Sequence, residues 1–161
     1  MRNFNPSRAS KQIGDFGEHL VTYDFIRKGY EVALVDQVGA DLICAKKEAR
    51  YAVSVKARWF KNNSKESKMF AVQKSHLEKL KYFSGIFNLK PVFSLLVCLS
   101  DEKIMFLMTI KVKNIPKVFE EIKAGYSIKF SEKNRKELEK NPLISISMWE
   151  KETIGDDIFS Q

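Results

Sequence analysis

Between Val92 and Leu99 the chain reads Val-Phe-Ser-Leu-Leu-Val-Cys-Leu, a run so nearly apolar that it offers no face to water. A strand of that kind is stable at the centre of a sheet covered on both sides. What precedes it narrows the choice further. Two apolar runs, Gly39-Ala40-Asp41-Leu42-Ile43 and Tyr51-Ala52-Val53-Ser54-Val55-Lys56, flank the polar turn Lys46-Lys47-Glu48-Ala49-Arg50, the pattern of a hairpin. A helical pattern over about residues 72–84, with Val72, Leu77, Leu80 and Phe83 as its buried face, stands between the hairpin and the apolar run. A helix in that place permits a crossover to a parallel strand. The chain is therefore expected to be α/β, with a mixed central sheet flanked by helices on both sides.

The remaining elements fit around this centre. A first helix is expected over about residues 10–28, with Ile13, Phe16, Leu20, Tyr23 and Ile26 as its apolar stripe and Gly29 as its stop. Residues 31–35 read as a strand, and 41–45 and 51–59 as the hairpin. Residues 61–68 lack an apolar anchor and read as a mobile loop. Beyond the buried strand come a strand at 104–110, a short helix at 115–123 opening at Pro116, and an edge strand at 126–130. A charged surface helix at 132–140, a strand at 143–149 and a fraying tail complete the chain.

At 161 residues and 44% hydrophobic composition, there is apolar material for one core. A single domain is expected, with its core over about 10–110, an elaboration over 111–150 and a tail over 151–161. No apolar run approaches the roughly 20 residues of a membrane span, and the stretch from Met1 to Pro6 has no apolar segment of a secretion signal. A cytoplasmic protein without a membrane partner is expected. Cys44 and Cys98 both fall in strand-like apolar runs without zinc-ligand spacing, as buried free thiols would.

Charge is unevenly placed. From Lys46 to Lys74 there are nine basic residues (Lys46, Lys47, Arg50, Lys56, Arg58, Lys61, Lys65, Lys68 and Lys74) and two acidic ones (Glu48 and Glu66), a net of +7 out of the chain's +8. Such a cluster attracts polyanions, nucleic acid above all; a solvated lysine-rich surface is the plainer alternative.

Alternate strand residues share a face, so Ser54 and Lys56 point the same way, and a hairpin brings Asp41 beside them. Phosphodiester cleavage needs a cation near the phosphate, a poised water and positive charge for the transition state. Asp41 and the Val55 carbonyl offer oxygens of the kind magnesium takes. Lys56 offers the positive charge and, if its pKa is lowered by its surroundings, help in deprotonating water. An ordinary hairpin with one exposed Asp and one snorkelling Lys would show the same spacing.

Four features together resemble the PD-(D/E)xK nuclease superfamily, restriction-endonuclease-like in fold, and in particular its small branch near the archaeal Holliday-junction resolvases. Gly14-Asp15-Phe16-Gly17-Glu18 matches the Gly-x-x-x-Glu helix signature, followed by Phe25-Ile26-Arg27-Lys28-Gly29-Tyr30-Glu31-Val32. Gly39-Ala40-Asp41-Leu42-Ile43 matches the Pro-Asp strand, with Ala40 for proline. Ser54-Val55-Lys56 falls where Glu-x-Lys belongs. The stretch from Val72 to Leu99, with Lys90-Pro91-Val92 entering the buried strand, matches the next helix and strand. The resemblance covers about residues 10–110.

The resemblance implies a metal-dependent DNA endonuclease that hydrolyses phosphodiesters by in-line attack of a metal-activated water, with Mg2+ or Mn2+ as cofactor and duplex or branched DNA as partner. It implies Asp41 as the main metal ligand, with the Val55 carbonyl and Glu18 as further oxygens. Lys56 becomes the catalytic lysine, and Gln73 a polar contributor from the second helix. Lys46, Lys47, Arg50, Arg58, Lys61, Lys65, Lys68 and Lys74 would then contact DNA. Ser54 departs from the pattern by removing one carboxylate. Either the remaining groups suffice, or Glu66 or Glu78 replaces it. The other outcome is that catalysis is lost and the chain is an inactive DNA-binding or assembly module of nuclease fold. His76 reads as a surface histidine and His19 as lying on the neighbouring helix face. Trp59 and Phe60 read as packing residues, with stacking on an unpaired base as the alternative. Related nucleases commonly act as dimers, and residues 143–149 or 104–110 are the candidates here for pairing two copies.

Overall fold

The computed structural model describes residues 6–60 and 68–150. Helix α1 (Pro6–Arg27) leads into an antiparallel meander of β1 (Glu31–Gln37), β2 (Ala40–Lys46) and β3 (Ala49–Phe60). A short strand, β4 (Met69–Gln73), runs directly into α2 (Lys74–Ile86), and β5 (Lys90–Leu99) follows. Next come β6 (Ile104–Lys111), a 3-10 turn (Val112–Asn114) and α3 (Ile115–Val118). β7 (Glu120–Ile122), β8 (Gly125–Lys129), α4 (Glu132–Glu139) and β9 (Ile144–Glu150) end the described chain.

The main sheet has six strands in the order β1-β2-β3-β5-β6-β9. Its one parallel junction joins β3 to β5, in register from Tyr51↔Lys90 to Phe60↔Leu99, and the other junctions are antiparallel. The apolar run at 92–99 thus lies inside the sheet, as its composition requires. Its period of two divides it between two cores. Phe93, Leu95, Val97 and Leu99 pack with Leu77, Leu80 and Phe83 of α2. Val92, Leu96 and Cys98 pack with Val21 and Phe25 of α1 on the other face. The one polar interruption, Ser94, is satisfied by the Thr109 hydroxyl at 2.9 Å on β6. Helices on opposite faces of a mixed sheet are the architecture expected from the sequence.

Several details differ from expectation. The stripe assigned to α1 holds only in part: Leu20 packs against the core, but Phe16, Tyr23 and Ile26 are 43%, 54% and 55% exposed, and the fully buried positions are Gly17, Val21, Asp24 and Phe25. Two of those four carry no hydrophobic signal. Gly17 lets the helix approach the sheet closely, and Asp24 is accommodated by partners. Its carboxylate accepts from Ser147 Oγ at 2.6 Å, Lys28 Nζ at 2.6 Å and Arg27 at 3.1 Å, which offsets the cost of burying a charge. The second helix starts at Lys74 instead of Val72, because residues 69–73 pair with β8. β8 is the centre of a second sheet, β4-β8-β7, and not an edge. The helix at 115–123 stops at Val118, where β7 begins to pair with β8. α4 is not wholly a surface helix: Arg135 is buried, donating to the Phe130 carbonyl at 2.8 Å and pairing with Glu102. β6 is paired on both sides, so of the two strands suggested for joining copies only β9 lies at a sheet edge among the described residues. The expected loop at 61–68, apart from Lys68, and the tail lie outside the described residues.

Candidate active site

The β2–β3 ladder ends at Leu42↔Val53, and one residue further on a side chain takes over the pairing. Asp41 Oδ2 accepts the Val55 N–H at 2.6 Å and the Ser54 hydroxyl at 3.2 Å. The N–H and C=O of one strand residue point to the same edge. The Val55 carbonyl therefore faces the same gap, beyond the last β2 partner. Lys56 follows, two residues from Ser54 on the same face of β3.

Glu18 reaches this place because of the glycine before it. A Cβ on Gly17 would lie 2.8 Å from the Ala57 Cβ, so α1 rests directly on β3. Burial raises the Glu18 pKa, the Asp41 and Asp15 charges raise it further, and His19 and Lys56 oppose them. Glu18 thus feels both members of the hairpin pair. His19 is exposed, with Nδ1 at 2.7 Å from the Asp15 carbonyl.

α2 closes the other side. At Gly39 (φ +106°) any Cβ would meet the Lys79 carbonyl at 2.5 Å, so the turn before Asp41 touches the helix backbone and admits only glycine. This close docking carries His76 into the site, contrary to its reading as a surface residue. His76 Nε2 is 2.8 Å from Ser54 Oγ, and the ring packs edge-on to Phe93. Burial lowers the His76 pKa, Lys56 and Lys79 lower it further, and Asp41 opposes them. No local sequence pattern marked His76; only the crossover brings it to the hairpin. Ser54 itself is 1% exposed, too enclosed to attack a polymer substrate.

The other candidates are more dispersed. Gln73 ends β4, exposed, its side-chain oxygen accepting from Ser75 at 3.4 Å. Glu78 is exposed and paired with Lys81 at 3.0 Å. Lys68 pairs with Asp101 and Glu102, and Lys74 with Glu121. Lys46 donates to the Lys28 carbonyl and lies over the Tyr30 ring. Together with Lys47 and Arg50, it sits at the hairpin end, about 20 Å of strand from Lys56. Arg58 lies near Lys56, over the ring of the buried Phe60, while Trp59 is half exposed with its indole N–H on Ser100. Lys61, Lys65 and Glu66 lie outside the described residues. Cys44 and Cys98 are free and buried. Among the described residues, no three histidine, cysteine or carboxylate side chains converge into a ready metal site, and no helix is long and apolar enough to cross a membrane.

No protein-family model matches the chain. No curated protein matches it either. Among solved structures, the chain is similar to Hjc, a Holliday junction resolvase from the archaeal hyperthermophile Archaeoglobus fulgidus. That match has a TM-score of 0.53 and 14% identity, covering 73% of this chain and 84% of the other. A bacterial homing endonuclease, I-Ssp6803I, matches with a TM-score of 0.46 and 11% identity over 76% of this chain and 78% of its own. The first likeness identifies the fold as nuclease-like.

Proposed function

We propose that this protein is a divalent-cation-dependent endonuclease acting on DNA. The observation that carries the reading is Asp41 at the open end of the hairpin, its carboxylate held by the Val55 N–H at 2.6 Å and the Ser54 hydroxyl at 3.2 Å, with Lys56 next on that face of β3. Glu18 of α1 lies near enough for the charges of Asp41 and Lys56 to act on it. Mg2+ or Mn2+ would be held by Asp41, the Val55 carbonyl and Glu18, an all-oxygen set of the kind these ions take. When bound, the cation supplies Lewis-acid polarisation of the phosphate and lowers the pKa of water. The chain's own groups do the rest. Asp41 is oriented by the Val55 N–H and Ser54 hydroxyl. Lys56 stabilises negative charge gathering on the phosphate oxygens. Glu18 would face the cation from the helix side, by direct contact or through a cation-bound water. Arg58 lies nearest to guide the backbone, and Lys46, Lys47 and Arg50 would meet the duplex further along. A pair of copies joined along β9 would set two such sites on one DNA.

A non-catalytic binding module is the second reading, favoured by Ser54 in place of a carboxylate. Supercoiled, single-stranded and four-way-branched DNA, each incubated with Mg2+ or Mn2+, separate the two. Cleavage that a chelator abolishes, lowered by about 100-fold or more in both Asp41→Ala and Lys56→Ala, is the expected result. Salt-sensitive binding without cleavage of any substrate would sink the enzyme reading in favour of the module.

A further inference from the structure

The residue standing where a second carboxylate was expected belongs to a hydrogen-bonded chain whose direction follows from counting protons. Ser54 has one hydroxyl proton and two partners, Asp41 Oδ2 at 3.2 Å and His76 Nε2 at 2.8 Å. A carboxylate can only accept. Were the Ser54 proton given to His76, two oxygens would face each other lone pair to lone pair, next to a serine that is 1% exposed. An unpaired contact of that kind is costly where water cannot reach it. The Ser54 proton therefore goes to Asp41, and His76 must carry a proton on Nε2 that it donates to Ser54 Oγ. Asp41 Oδ2 then receives two donors, Val55 N–H and Ser54 O–H. Among the described residues Oδ1 receives none.

We propose that His76 is a positioning residue of this site, acting through Ser54 to hold the Asp41 carboxylate with Oδ1 turned to a divalent cation. The inference rests on the reading of Asp41 as the cation-facing carboxylate. A serine–histidine pair thereby occupies the place of the missing carboxylate, supplying orientation without adding negative charge. The arrangement resembles the hydrogen-bonded partners that orient ligands around many metal sites. Two further contacts keep the imidazole in place. Its ring lies edge-on to Phe93 with centroids 6.5 Å apart, and α2 is pinned to the hairpin at Gly39 and Lys79.

Two measurements test this. Nitrogen-15 NMR of the wild-type imidazole at neutral pH is expected to show a proton on Nε2. Protonation on Nδ1 alone would overturn the inference. The second measurement is a double-mutant cycle on Mn2+ binding, read by electron paramagnetic resonance, with circular dichroism confirming that each variant is folded. His76→Ala is expected to weaken Mn2+ binding by about tenfold, as loss of an outer partner does. It should have no further effect on top of Ser54→Ala, because it acts only through that hydroxyl. A full effect of His76→Ala in the Ser54→Ala background would mean that His76 touches the cation itself, and the inference fails. If the wild type binds no Mn2+, the reading of Asp41 fails. The tautomer then decides by itself whether His76 holds Ser54 and, through it, Asp41.

Discussion

Gly17 of α1 and Ala57 of β3 meet so closely that a methyl group at position 17 would stand 2.8 Å from the Ala57 Cβ. Neither atom is the end of a flexible side chain, so the helix itself would have to move. Gly17→Val is expected to destabilise the fold by about 1–3 kcal/mol through overpacking. Because Glu18 is the next residue, cleavage should fall by more than the loss of folded protein explains. Chemical denaturation and activity per folded molecule, measured side by side, check this.

Asp24 is the anchor between α1 and β9, buried and bonded to Ser147, Lys28 and Arg27. Removing it leaves the Ser147 hydroxyl without its acceptor. Asp24→Ala is expected to cost about 2 kcal/mol, a fall in Tm of roughly 4–8 °C for a protein of this size. An unchanged Tm in calorimetry would show the network to be of no energetic consequence.

Glu18 gives a pH dependence of defined sign. Burial, then Asp41 and Asp15, raise its pKa above the ordinary 4.5, against His19 and Lys56. The folded protein holds this proton more tightly than the unfolded chain. Stability contributed by the group is therefore present at acid pH, falls as pH rises from about 4.5 through the raised value, and stays lowered at neutral pH. With chelator present, Glu18→Gln should raise Tm at pH 7 and leave it nearly unchanged at pH 4. The same substitution should slow cleavage by about 100-fold.

The two thiols should be inert in the folded protein. Burial pushes the Cys44 pKa up to about 12 and that of Cys98 up to about 11, and only the thiolate reacts. Iodoacetamide at pH 8 is expected to leave both unmodified in native protein and to alkylate both in urea, as read by mass spectrometry. Rapid native labelling of either would contradict their burial.

The sheet was legible because its signals are local. The run at 92–99 carries its burial in its composition, and the hairpin its turn in Lys46-Lys47-Glu48-Ala49-Arg50. The docked face of α1 was not legible, since Gly17 and Asp24 are buried for close approach and for partners rather than for hydrophobicity. β4 is not legible in the sequence, and the helical pattern takes in its last two residues, Val72 and Gln73, because Met69–Gln73 acquire strand character only by pairing with β8, far along the chain. At the candidate site, Asp41, Ser54 and Lys56 could be grouped from hairpin geometry alone. His76 could not, because its meeting with Ser54 depends on how α2 is laid over the hairpin.

The single parallel junction between β3 and β5 has a consequence for when the site can exist. An antiparallel hairpin can form by itself, but a parallel pair closes only after the intervening chain has crossed the sheet. Glu18 arrives with α1, Asp41 and Lys56 with the hairpin, and His76 with the crossover. A partly folded chain with α1 on the hairpin but without the crossover therefore holds Glu18, Asp41 and Lys56 without His76. The contact between Ser54 and His76 therefore closes only when α2 has been laid over the hairpin, late in the completion of the sheet.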